Sequence, residues 1–209
     1  MRYQFYREHK YVSSALNDVE RLIAKTDFRN ELDTLNAQSA FQELTEMLEG
    51  HAHYENEKLH RLLDKKGSKV HQHAEDEHAL QQQKITEIQS LFNQILEPSI
   101  NERIALGYNL YLTYRKFVAD NLAHLHEEET LILPELQRLY TDEELKRVEA
   151  ETYNIMSSDE MIEMLRVLFP HMNSVDKEAF LSDIKECQPD KYADILKTSN
   201  LDFLELELP

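Results

Sequence analysis

Apolar side chains recur along this chain at helical spacing, and four long stripes run through its first two-thirds. Phe5, His9, Val12, Leu16, Val19 and Ile23 step by four and three, which predicts a first helix of about 20 residues. After a polar stretch around Thr26 to Asn30, a second stripe joins Leu44, Leu48, His51, Glu55, Leu59 and Leu62, ending at the stop signal Asp64-Lys-Lys-Gly67. A third begins near Ser68, carries Ala74, His78, Ile85, Ile88, Phe92 and Ile95, and is stopped by Pro98. The fourth restarts near Asn101 and runs through Leu110, Tyr114, Phe117, Asn121, His124, Glu128 and Leu131, where Pro134 is expected to kink or end it.

Helices of this length with short connections predict an all-α protein, an antiparallel up-down-up-down four-helix bundle over residues 1–140. From Thr141 the pattern breaks into shorter pieces. Thr141-Asp-Glu-Glu144 and Ser157-Ser-Asp-Glu160 fit the capping box, and Asp190 opens a last helix. Residues 141–209 are therefore expected to form additional short helices, packed on the bundle or on a second subunit. The tail Leu201-Asp-Phe-Leu-Glu-Leu-Glu-Leu208 is apolar enough to dock on either, which leaves a homodimer open.

Composition agrees with long helices: three Gly, five Pro and no Trp in 209 residues. The formal charge of −17 argues against a surface that tracks phosphates or acidic lipid, because Lys and Arg are nowhere concentrated. A lone Cys187, no apolar segment after Met1-Arg2-Tyr3 and no run of about 20 apolar residues lead to the expectation of a cytoplasmic protein. No His-Glu-x-x-His motif, phosphate-cradling Gly-rich loop or Gly-x-Ser-x-Gly elbow is present, so binding or sensing is expected rather than turnover.

The stripes contain an internal conflict. His51 and Glu55 lie four apart on one, His124 and Glu128 four apart on another, each pair where a core seam would carry Leu. Burying imidazoles and carboxylates together is costly without a compensating charge, and a metal ion would supply it. Of the ten histidines, His9, His51, His78 and His124 fall one on each seam, with Glu55 and Glu128 a turn beyond two of them. His53 sits about 200° from His51 around the helix and is read as solvated, although His53/Glu57 is a rival pair. His126, beside Glu127 and Glu129, is read as solvated too; His60 and His73 fall on mostly polar faces, and His71 is a weak candidate near a helix start. A single buried histidine is more often a hydrogen-bonded core residue than a ligand, but four on facing seams with two carboxylates favour a metal. Imidazole and carboxylate donors without thiolate suit iron, manganese or zinc better than a soft-metal site. Two carboxylates among four imidazoles suit two ions, each Glu bridging them and leaving room for a shared oxygen and an exogenous ligand.

These residues resemble the hemerythrin-like, or HHE cation-binding, family. The resemblance is carried by Arg7-Glu-His9, by His51-Ala-His-Tyr-Glu55 with Leu59-His60-Arg-Leu-Leu63, by Glu75-Asp-Glu-His78-Ala-Leu80, and most specifically by Phe117 through His124 and Glu128 to Pro134. It implies a four-helix bundle with a non-haem, oxo- or hydroxo-bridged di-iron centre that meets O2, NO or peroxide. His9, His51, His78 and His124 would be terminal ligands, with Glu55 and Glu128 as bridges. Oxygen-carrying members use a fifth imidazole one turn before the position of His78, where this chain has Ala74. That difference argues against reversible O2 carriage. Two other readings stay open: a ferritin-like carboxylate oxidase built on Glu57-x-x-His60 and Glu75-x-x-His78, and a metal-stabilised interaction or sensor module.

Overall fold

A computed structural model describes residues 2–197, and every regular element among them is helical. The tail Leu201–Leu208 lies outside the described residues. The chain divides into two compact units, Val12–Leu136 and the described residues of Met1–Tyr11 with Gln137–Pro209.

The first unit contains four helical rods. Helix α1 spans His9–Lys25, starting later than its stripe predicts. Tyr6 stands in the left-handed region at φ 67°, and that turn keeps Phe5 out of the helix although Phe5 is buried. Helix α2, Glu31–Tyr54, starts earlier than Leu44, because Asn30 accepts from the Leu32 N–H and Thr34, Ala37 and Phe41 extend the buried face backwards. A π turn over Glu55–His60 joins it to α3, Arg61–Lys65. Gly67, at φ 73°, then closes the rod as a left-handed C-terminal cap, with its N–H on the Asp64 carbonyl and that of Ser68 on the Leu63 carbonyl.

Helix α4 is Gln72–Ile95, and α5, opened by a Ser99/Glu102 capping box, is Ile100–Glu127. A second π turn, Glu128–Ile132, leads into α6, Leu133–Leu139. Pro134 therefore does not end the rod; the wider turn before it makes room for its ring.

One end of this bundle is apolar. Leu16, Ile23, Phe41, Ile88, Phe92 and Tyr114 belong to one buried cluster, and the Tyr114 hydroxyl donates to the Leu16 carbonyl at 2.9 Å. Gly107 is needed there, since a Cβ would stand 2.1 Å from the ring of Phe28. The other end, where α2 and α5 finish and α4 begins, carries the polar seam.

In the second unit, α7 (Asp142–Ile155) and α8 (Ser158–Leu168) start from the predicted Thr141 and Ser157 capping boxes. Helices α9 (Ser174–Cys187) and α10 (Pro189–Lys197) complete it. Tyr153, Met161, Leu165, Phe169 and Ile184 form its apolar core. No helix among the described residues is long and apolar enough to cross a membrane.

Candidate metal centre

Three chain segments at the polar end of the bundle bring five of the six candidate ligands together. His51 and Glu55 come from the end of α2, His78 from α4, and His124 and Glu128 from the end of α5. Glu55 and Glu128 are wholly buried, and His78 and His124 nearly so. His9, the sixth, is the first residue of α1 and is buried.

The donor atoms converge. The Nε2 atoms of His78 and His124 stand 2.8 Å apart. Glu55 lies 3.3 Å from the His78 Nε2, and Glu128 lies 3.4 Å from the His124 Nε2 and 3.9 Å from that of His78. His51 Nε2 is 3.3 Å from the other oxygen of Glu55. Glu55, His78, His124 and Glu128 each offer a donor within 4.8 Å of the rest, and His51, Glu55 and Glu128 do likewise. Both carboxylates thus belong to two donor groups. Ligands about 2.0–2.2 Å from one ion lie about 3 Å from one another, so these separations are those of a coordination polyhedron. The donor set fits a cation on chemistry as well, being two buried carboxylates ringed by imidazoles.

Two of the inward-facing imidazoles are steered from behind. Asn56 Oδ1 lies 3.0 Å from the His78 Nδ1, and Glu77 lies 2.9 Å from the His124 Nδ1. A partner on Nδ1 orients the ring and leaves Nε2 for a metal. Burial, and next the neighbouring His78, depress the His124 imidazole, while Glu77 opposes them. An apolar cleft of about 310 Å³, lined by Glu77, Leu80, Phe117, Asn121 and His124 among others, reaches this edge of the site.

The solvated histidines are placed as expected. His53 and His126 are exposed, and exposed His73 pairs with Glu127 at 2.9 Å, which raises its affinity for a proton. Glu57 is exposed and pairs with Arg61, away from the seam.

His60 contradicts its assignment to a polar face, being 0% exposed, and the weak candidate His71 is also buried. The cause is the π turn. In an α-helix His60 would lie roughly 140° around from Glu55, whereas the wider π turn brings it to roughly 50°. The same slip moves burial from Leu62 to Leu63 and from Leu131 to Ile132. Burial pushes the His60 imidazole down to about 4. One signal was readable: the doublets Leu62-Leu63 and Leu131-Ile132 let the stripe continue in either register. Nothing comparable marked Asn56 and Glu77.

The model of the hemerythrin HHE cation binding domain matches residues 1–136. The chain belongs to this family. Two curated relatives, the F-box/LRR-repeat protein 5 of Bos taurus and that of Pongo abelii, are each 27% identical to this HHE chain over 180 residues, 85% of its length. The chain spans only about 25% of the length of either. No solved structure matches it. With the clustered His and Glu donors, membership makes residues 1–136 of this HHE protein a metal-binding helical domain.

Proposed function

We propose that the bundle holds two iron ions and uses them to bind or sense O2, NO or peroxide. Glu55 and Glu128 would bridge the ions, with His51, His78 and His124 as terminal ligands. His9 joins the set on the seam pattern and the family resemblance. The observation that carries the reading is that both buried carboxylates are shared between two donor groups. Iron bound there would supply electrons and an open coordination position to the small ligand. The residues supply the rest: Glu77 and Asn56 fix two imidazoles, the apolar core below excludes water, and the cleft beside His124 offers a diatomic a route inward. Ala74, buried where a fifth imidazole would stand, leaves coordination more open than in an oxygen carrier.

Reconstitution with ferrous iron under argon, followed by air and optical spectroscopy, tests this. Two coupled irons, both lost in Glu128→Gln, are expected; a chain retaining at most one iron would overturn the proposal.

A second reading, a metal-dependent sensor module, draws support from the relatives, in which the matching region is a quarter of a longer chain. A difference in mass or partner capture between apo and iron-loaded protein would favour it, and light scattering measures the former. The ferritin-like reading is disfavoured by the exposed Glu57.

A further inference from the structure

The π turn that displaces His60 builds something besides the paired-metal seam. His60 is wholly buried, and neither of its ring nitrogens has a hydrogen-bond partner in the protein. Next to it lies His71, the residue preceding α4, also buried and with its Nδ1 likewise without a hydrogen-bond partner. The two rings stand 5.2 Å apart between centroids. Buried imidazoles are usually held by hydrogen bonds, so three ring nitrogens side by side without them need an explanation.

Two carboxylates face them. Glu75 Oε1 lies 3.5 Å from the His60 Nδ1 and 3.7 Å from the His71 Nε2. Asp64 Oδ1 is 3.5 Å from the same His71 Nε2. A tetrahedral ion with bonds of about 2.0–2.1 Å spaces its ligands about 3.3 Å apart. The observed imidazole–carboxylate separations are slightly wider, and the four donors do not all lie within 4.8 Å of one another, so an arriving ion has to draw in the two carboxylates, 43% and 52% exposed, and turn the two imidazoles toward it. Lys69, 3.3 Å from Asp64, is the cation that an incoming metal would displace. Two imidazole ligands and two carboxylates together balance the charge of a divalent ion, a set suited to zinc.

We propose that His60, His71, Glu75 and Asp64 form a separate, mononuclear site for a divalent cation of the zinc type, beside the paired-metal seam. It is distinct from that seam, because neither His60 nor His71 belongs to the donor groups that share Glu55 and Glu128. It also adjoins it, since the His60 ring stacks on His78 with centroids 5.9 Å apart. The half-exposed carboxylates put the new site at the solvent-facing edge, where an ion can arrive from outside.

Equilibrium dialysis of the chelator-stripped full chain against Zn2+, read by elemental analysis, tests the proposal, with circular dichroism confirming that each variant is folded. Three zinc ions per chain are expected, falling to two in Glu75→Gln and in His71→Ala. Substitution by Co2+ should give the intense visible bands of a tetrahedral ion, weakened in both variants. A wild type that binds two and keeps two in both variants would overturn the site and leave the paired centre standing. A single zinc lost in Glu75→Gln but kept in Glu128→Gln would support this site and count against the pair. Failure of both variants to change the count at any stoichiometry refutes the proposal.

Discussion

In the unit built from α7 to α10, the buried carboxylate of Asp183 meets the Arg7 guanidinium at 2.8 Å and the Lys146 ammonium at 3.8 Å. In the bundle, the buried carboxylates of Glu55 and Glu128 face imidazoles at 3.3 and 3.4 Å instead. The difference lies in what each partner can do when dry. A guanidinium keeps its charge almost anywhere, whereas burial drives imidazoles toward the neutral form, as His60 and His124 show. The first arrangement carries its own counter-charge; the second, on the reading proposed above, would be completed by an ion from outside. A polar group buried for stability and one buried for chemistry are thus separable by the kind of partner it has.

Metal removal should separate the two units most strongly. An ion held at 1,000 times its dissociation constant adds about 4 kcal/mol to folding, roughly 8–16 °C in melting temperature for a chain of this size. Chelation should therefore lower the melting of the bundle by about 10 °C and release hydrogen-exchange protection in α2, α4 and α5, while α7 to α9 keep theirs. His51→Ala and Glu128→Ala should lose metal and imitate chelation, because the remaining ligands stay buried without their charge partner. Equal melting with and without metal would erase the contrast.

The reverse perturbation comes next in size. Asp183→Ala leaves Arg7 buried without its carboxylate, at a cost of about 3 kcal/mol in denaturant unfolding. Metal content should be unchanged. A fall in bound metal with this variant would show that the two polar networks are not independent.

A smaller effect depends on pH. Burial, and after it the neighbouring Glu8, push the Glu149 carboxyl up to about 7, with Asp183 acting in the same direction and Arg7 and Tyr153 against it. Below its ordinary value near 4.5 both folded and unfolded states hold the proton. Between there and about 7 the folded state keeps a proton that the unfolded state releases, so stability falls as pH rises and then levels. The fall is at most about 3 kcal/mol, and Glu149→Gln should flatten it across chemical-denaturation curves measured from pH 4 to 8. A profile as steep in the variant as in the wild type would remove Glu149 from the account.

Much of the bundle was legible because its period is long and its stops are chemical. Gly67, Pro98 and the boxes at Thr141 and Ser157 each act through local backbone geometry, which sequence reveals directly. The side chains that converge at the seam were legible up to Glu55 and Glu128, because an unbroken 3.6-residue period leads to them. Beyond each glutamate the reading slipped by one residue, since a π turn changes the period without any residue that requires it. That slip hid His60 and, through it, the pairing with His71. Asn56 and Glu77 were missed for another reason: their role lies across the bundle, on rings carried by other helices.

The finest test of this register lies between His51 and His60. His53 is exposed, while His51 faces Glu55 and His60 is swung inward by the π turn. His53→Ala should change stability by no more than about 0.5 kcal/mol, as surface substitutions generally do, and should leave bound metal untouched. His51→Ala in parallel should lose metal from the seam. Equal losses from the two variants would mean that the faces of α2 have been exchanged, and the contrast between a cation-dependent bundle and a self-compensated second unit would have to be rebuilt from His53 and Glu57.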